Sequence, residues 1–225
     1  MTTHPEWQAH ASQVYDDAMR EASAKFLDKI HRSPHYRRAV LLDPRELHRE
    51  FFLQFAPQTH LEYAGTFRGT KGSTLEHRSV WGPKLFSPSE SFPFEEPNEL
   101  PAKVAFLLNE FSRELGPARR AKPYDQLQLM AHFFCWFGKL HPFLDGNGHI
   151  QRALFAAAAA EIGVPLSNRF AIHPRTYDSL LAWPLEMFTT ARQEQGEPYK
   201  AMVAEYLSGW LAGPFDAPAS GIPSG

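Results

Sequence analysis

His141, Asp145, His149 and Arg152 fall within one short run, HPFLDGNGHIQR, that also carries Gly146, Asn147 and Gly148. His141 is the group in that run whose ordinary pKa suits a general base near neutral pH. Gly146-Asn147-Gly148 leads straight into a helical pattern, so its backbone N–H groups can turn inward as an anion nest. The helix N-terminus adds roughly half a positive charge there. His149 and Arg152 share a helix face, and helical side chains lean back toward the N-terminus, where a bound phosphate would lie. The planar fork of Arg152 suits phosphate. Asp145, a hard oxygen ligand beside phosphates, suits Mg²⁺, which takes one or two carboxylates and completes its shell with water and phosphate oxygens. A zinc site from His141, Asp145 and His149 is the competing reading, opposed by the glycines that interrupt any helix aligning them.

The elements that must hold this run are helices. LQLMAHFFCWFGKL, before it, is apolar nearly all round, with Asp125 and Gln128 marking its start, and it ends at His141 because Pro142 disfavours the α region for its predecessor. After it, a second buried helix starts near His149 and runs through LFAAAAAEI to Gly163. An ionisable loop between two buried helices is a loop on rigid supports, where sites occur. Upstream, Thr3 with Glu6 resembles a capping box for a first helix bearing Trp7, Ala11, Val14, Ala18, Ala22 and Phe26, stopped at Ser33-Pro34. A shorter helix is expected from Pro44 to Phe55, and another from a cap at Asn98 to Gly116-Pro117. Two more are expected from about Arg175, interrupted at Trp183-Pro184, and from about Pro198 to Leu211. Residues 61–98 are rich in Gly, Pro and Ser, with β-forming pieces at Thr66-Phe67 and Ser79-Val80-Trp81, which predicts a hairpin over about Thr66 to Trp81.

Composition bounds the function classes. The chain has 225 residues, 43% apolar and 21% charged, with a net charge of -2. That is a globular composition able to bury a full core, and it carries no basic field of the kind non-specific nucleic-acid binding needs. No apolar run is long enough to span a bilayer, and the N-terminus does not read as a secretory signal. The single Cys135 excludes an internal disulfide and a cysteine-based zinc site, so a reducing cytoplasm is the expected location, without nucleic acid or membrane as a partner.

HPFLDGNGHIQR resembles the signature loop of the Fic (Fido-fold) family, commonly written HPFx[D/E]GNGRxxR. It departs at one position, where His149 stands for the first arginine. The flanking buried helices, Gly163 and the preceding GTFR…VWG…F segment are also similar to the family's arrangement, over roughly residues 60 to 210. The resemblance implies a mainly α fold, a Fic-like helical bundle with a β-hairpin flap. The implied layout is N-terminal helices over 1–60, a Fic-like domain over 61–212 and a disordered tail over 213–225. It also implies transfer of a nucleoside monophosphate, AMP from ATP above all, to a Ser, Thr or Tyr hydroxyl of a target protein. His141 matches the base, Phe143 the residue that anchors the loop, and Asp145 the Mg²⁺ ligand. Gly146, Asn147 and Gly148 match the anion-binding turn, and Arg152 the arginine that holds the terminal phosphates. The hairpin would match the flap that aligns the target's main chain by strand addition. A neutral imidazole at 149 donates one hydrogen bond and lacks the fork and permanent charge of guanidinium, so the donor nucleotide stays open.

The family is often restrained by a helix carrying [S/T]xxxE[G/N], whose glutamate would pair with Arg152, and a separate inhibitor protein stays open as a partner. Thr190 to Gln195 meets the first part of that pattern, with Glu194 as its glutamate, and has Gln195 where Gly or Asn is expected. Two other functions stay open: a nucleotide-binding regulatory or toxin-like module without efficient transfer, and a helical protein-interaction domain.

Overall fold

Ser33-Pro34 ends one helix and starts the next. Helix α1 (Tyr15–Arg32) stops at Ser33, whose Oγ accepts the Tyr36 amide at 3.2 Å, and Pro34 takes the first position of α2 (Pro34–Leu42), where its missing N–H is no loss. The computed structural model describes residues 5–174 and 179–213, with the side chains of Gln193 and Glu194 outside that description. The expected cap at Thr3 therefore lies outside the described residues. Where the spacing predicts helix from Trp7 onward, residues 5–14 instead form an irregular strap with one 3-10 turn, Ala9–Ala11. Tertiary hydrogen bonds compete with the helix there, since Trp7 Nε1 donates to the Phe55 carbonyl at 2.8 Å and the Ala9 N–H leaves the strap altogether.

Helix α3 (Arg45–Phe52) and a 3-10 turn, Leu53–Phe55, fill the span expected from Pro44. The hairpin is displaced from its expected place. Residues 66–80 are turns and loop, while the strands are β1 (Trp81–Lys84) and β2 (Ser87–Pro93), antiparallel, with Trp81 opposite Pro93 and a register shift between Pro83 and Lys84. Prolines in GPKLFSPSESFP mask a strand, yet a two-stranded ribbon has an open edge on every strand and tolerates them. Gly69 shows why the upstream stretch cannot be a strand: its φ is +80°, and a Cβ there would sit 1.7 Å from the Pro97 carbonyl oxygen.

Helix α4 (Leu100–Ala118) runs through Gly116-Pro117, after a 3-10 turn at Pro97–Glu99, and Asn98 makes no side-chain cap. Helix α5 (Pro123–Leu140) and helix α6 (Asn147–Ile162) flank the loop, α6 ending at Gly163 with φ +83°. Helix α7 (Ser179–Thr190) absorbs Pro184, its expected start near Arg175 lying outside the described residues, and α8 (Glu197–Ser208) follows. Residues 214–225, most of the expected tail, also lie outside them.

α5 packs against α4, α6, α7 and α8, and α6 against α1, α2 and α4 as well. Ala153 and Ala156 to Ala159 are fully buried, which lets the neighbours of α6 approach closely. At its far end, the buried Glu161 carboxylate accepts from Arg37 at 2.8 Å, Arg38 at 3.1 Å and Arg119 at 2.5 Å. Burial alone would raise its pKa, and these guanidiniums more than offset that, holding it below the usual carboxylate range. One end of α6 is thus pinned, and the other presents the loop. Among the described residues no helix is long and apolar enough to cross a membrane.

Candidate active site

The loop between α5 and α6 is held by its carbonyls. Arg68 takes those of Leu140 and His141, the Arg68 amide takes that of Pro142 at 2.8 Å, and Asn147 Nδ2 takes that of Phe143 at 2.8 Å. His48 Nε2 donates to the Asp145 carbonyl at 3.0 Å, and the Gly146 carbonyl accepts from the His149 and Ile150 amides. Those oxygens are therefore engaged by protein, whereas the amides of Asn147 and Gly148, at the start of α6, make no hydrogen bond among the described residues. Both residues line a cavity of about 410 Å³ together with His141, Asp145, Gly146 and His149. Two unpaired donors at a helix N-terminus, facing a cavity, fit an anion.

Gly146 makes this turn, with φ +78°, and a Cβ on it would stand 2.5 Å from the Phe52 ring. The Asn147 side chain closes the turn, accepting from the Phe143 amide at 2.9 Å as well as donating to its carbonyl. The Asn147 side chain is thus the staple of the turn, while its backbone amide is left without a hydrogen bond among the described residues. Phe143 is fully buried, stacked on His48 with centroids 3.8 Å apart.

His141 caps α5 in the left-handed conformation, φ 49°, the one non-glycine residue with positive φ among those described. Its ring stacks on Phe94, centroids 3.7 Å apart and 15° from parallel. It lines the cavity above and also a second one of about 360 Å³ beneath the hairpin, bounded by Lys84, Leu85 and Phe92 on one side and Leu185 and Glu186 of α7 on the other. The Leu85 amide donates to Glu186 Oε2 at 2.7 Å, clasping the hairpin tip to α7.

Asp145 lies in the first cavity with both oxygens in use: Oδ1 accepts the Gly146 amide at 2.6 Å and Oδ2 the Ala9 amide of the strap at 2.9 Å. A single carboxylate with lone pairs to spare fits Mg²⁺, whose remaining shell comes from water and phosphate. Among the described residues no group of three His, Cys, Asp or Glu is placed to hold a metal ion, so the competing zinc reading of His141, Asp145 and His149 finds no support.

His149 is buried, its Nε2 3.2 Å from Nδ1 of His173, with Tyr15 edge-on to both rings. One imidazole of that pair must donate and the other accept. His173 Nε2 stands 3.4 Å from the Asp16 carboxylate without hydrogen-bond alignment, and burial pushes the His173 pKa down. Arg152 is the one expected site residue that does not line the cavity. Its guanidinium lies 4.4 Å over the Trp210 ring and Nη1 donates to the Ala171 carbonyl at 3.0 Å, two positions before His173. An alanine-rich α6 leaves room for that side chain to fold toward α8 and its C-terminal neighbour.

Sequence reasoning missed His48 and Arg68. His48 is fully buried and its Nδ1 accepts the Gly65 amide at 2.9 Å, so Nε2 carries the proton given to Asp145. Burial pushes its pKa down to about 3, and it stays neutral. A signal existed: position 48 lies one turn before Phe52, beside Leu47 and Phe51, on the inward face of RELHREFF.

The Fic/DOC family model matches residues 41–159, more than half of the chain. The chain belongs to the Fic/DOC family. The match begins within α2 and includes α3, which supplies His48. A Fic domain containing signaling protein from Bacteroides thetaiotaomicron is similar in structure, with a TM-score of 0.58 at 18% identity over 86% of this chain and 69% of that one. The N-terminal FIC domain of Bep8, a VirB-translocated effector of Bartonella sp. 1-1C, has a TM-score of 0.57 at 16% identity over 85% of this chain and 83% of its own. No curated protein sequence matches. The fold is the Fic fold, and the described residues are mainly helical with an antiparallel hairpin. The family acts on protein targets, transferring nucleotide or other groups to them.

Proposed function

We propose that this Fic protein transfers a nucleoside monophosphate, AMP from ATP, to a Ser, Thr or Tyr hydroxyl of a target protein. One observation carries the reading: His141, together with Asn147 and Gly148, borders both the cavity that holds Asp145 and His149 and the cavity beneath the hairpin. Donor phosphates take the Asn147 and Gly148 amides in the first. Asp145 would hold Mg²⁺ there, and the ion, when bound, neutralises phosphate charge. The target lies under the hairpin, its main chain adding to the open edge of the ribbon. His141 takes the hydroxyl proton as the oxygen bonds to the α-phosphorus and the bond to the β-phosphate breaks, releasing pyrophosphate. Phosphoryl-centre chemistry is largely positioning and charge neutralisation, which a braced loop provides.

The His149–His173 pair, one ring donating to the other, offers the terminal phosphates a single N–H in place of a guanidinium fork. Arg152 acts at one remove, holding the Ala171 carbonyl and so the segment that carries His173. Cys135, whose thiol burial pushes up to about 12, is an inert core group and suits a reducing cytoplasm.

The test is incubation with Mg²⁺ and ATP labelled at the α- or the γ-phosphate, read by intact mass and label on protein. Transfer leaves the α-label and a gain of one nucleoside monophosphate. His141→Ala should lower the rate by about 10²–10⁴ and keep nucleotide binding, because the base acts on the incoming hydroxyl. Retained γ-label would replace nucleotidyl transfer with phosphoryl transfer, and binding without any label would leave the nucleotide-binding module as the function.

A further inference from the structure

Arg68 is fully buried and forms no ion pair with a carboxylate among the described residues. Its guanidinium is spent on backbone carbonyls. Nε and Nη2 donate to His141 at 2.9 and 2.8 Å, and Nη2 also reaches Leu140 at 3.1 Å. Nη1 reaches Arg78 at 3.1 Å and Nη2 reaches Glu95 at 3.1 Å. Burial lowers its pKa to about 10, so the charge persists at neutral pH.

Those carbonyls belong to two different structures. Leu140 and His141 end α5, where carbonyls lack intrahelical partners and the helix dipole favours a cation. Arg78 lies just before β1 and Glu95 just after β2, so the same guanidinium grips both roots of the hairpin. Phe94, next to Glu95, is the ring on which the His141 imidazole stacks. His141 itself is held in a backbone conformation that a residue with a Cβ adopts only when its surroundings impose it.

We propose that Arg68 is the positioning residue that joins the hairpin to the base. By fixing the His141 carbonyl and the Glu95 carbonyl on one planar group, it sets the imidazole against Phe94 and keeps the flap root in register with the loop. Lysine cannot do this, because an ammonium is a compact charge without the fork that spans several carbonyls at fixed angles. The inference rests on the reading of His141 as the base.

Two variants test it, Arg68→Lys and Phe94→Leu, each read by the NMR titration of the His141 ring and by transfer kinetics. Arg68→Lys should shift the His141 ring resonances and its titration midpoint. It should also lower kcat by about 10²-fold, the scale of a misplacement of about 1 Å, with nucleotide affinity changed by less than about threefold. Phe94 is only half-buried, so Phe94→Leu should fold even where Arg68→Lys does not, and it should reproduce the imidazole shift and the kcat loss with Arg68 intact. An unchanged His141 titration in folded Arg68→Lys, or in Phe94→Leu, overturns the proposal. Should the wild-type protein transfer nothing, the base assignment fails on its own, and the ring titration still decides whether Arg68 positions His141.

Discussion

Lowering the pH from 7 to 5 should destabilise the wild-type protein by about 2 kcal/mol more than it destabilises His48→Gln. The folded protein holds His48 near a pKa of about 3, against 6.5 for an ordinary imidazole, because the ring is desolvated and its Nδ1 is already committed to the Gly65 amide. Between those values the unfolded chain binds a proton that the folded chain refuses, so stability falls as the pH falls. At pH 5 the solution is about 1.5 units below the ordinary value, and at 1.36 kcal/mol per unit that amounts to about 2 kcal/mol. The loss grows until about pH 3 and then levels off. The glutamine side chain of the variant is neutral throughout and carries no such dependence, although at pH 7 the substitution should cost about 1–3 kcal/mol by leaving a buried polar group unpaired. Urea unfolding followed by tryptophan fluorescence at pH 7, 6 and 5 measures both effects. His132 and His173, with pKa values also lowered by burial, lose stability with acid as well, as does Glu161, and they are common to both proteins. Parallel stability curves for the two proteins would refute the buried neutral imidazole.

Asp145→Asn should abolish Mg²⁺-dependent tightening of nucleotide binding in calorimetric titrations and cost about 1–3 kcal/mol in urea unfolding, because a single amide oxygen can keep only one of the carboxylate's two N–H partners, Ala9 and Gly146, and the new NH₂ faces the other. Gly146→Ala should cost about 1–3 kcal/mol or more in thermal or urea unfolding, since it meets both a left-handed φ and the Phe52 ring, and it should weaken nucleotide binding by moving the Asn147 and Gly148 amides.

What was legible in the sequence is what neighbours in the chain decide. The apolar stripes of α5 and α6, the break at Pro142, the turn at Gly146 and the donors at the start of α6 are written within a few residues of where they act, and local spacing reports them. The resemblance carried by HPFLDGNGHIQR pointed to the same loop. Even locally the reading had limits: Ser33-Pro34 stops one helix and also starts another, and a proline-rich stretch can still pair as a ribbon.

The rest was decided by contacts between distant segments. His48 reaches Asp145 across 97 positions, Arg68 reaches His141 across 73, and Ala9 reaches Asp145 across 136. None of these has a period or a spacing in the chain, because each is set by which carbonyl or carboxylate is left unsatisfied once the helices have packed. The same holds for Arg152, whose helix face alone aimed it at the phosphates. Trp210 and the Ala171 carbonyl, brought alongside α6 by the fold, draw it elsewhere, and His173 stands beside His149. Local sequence placed the chemistry in a loop, and tertiary packing chose which groups hold that loop still, because a buried polar atom must be satisfied by whatever donor the fold brings within reach.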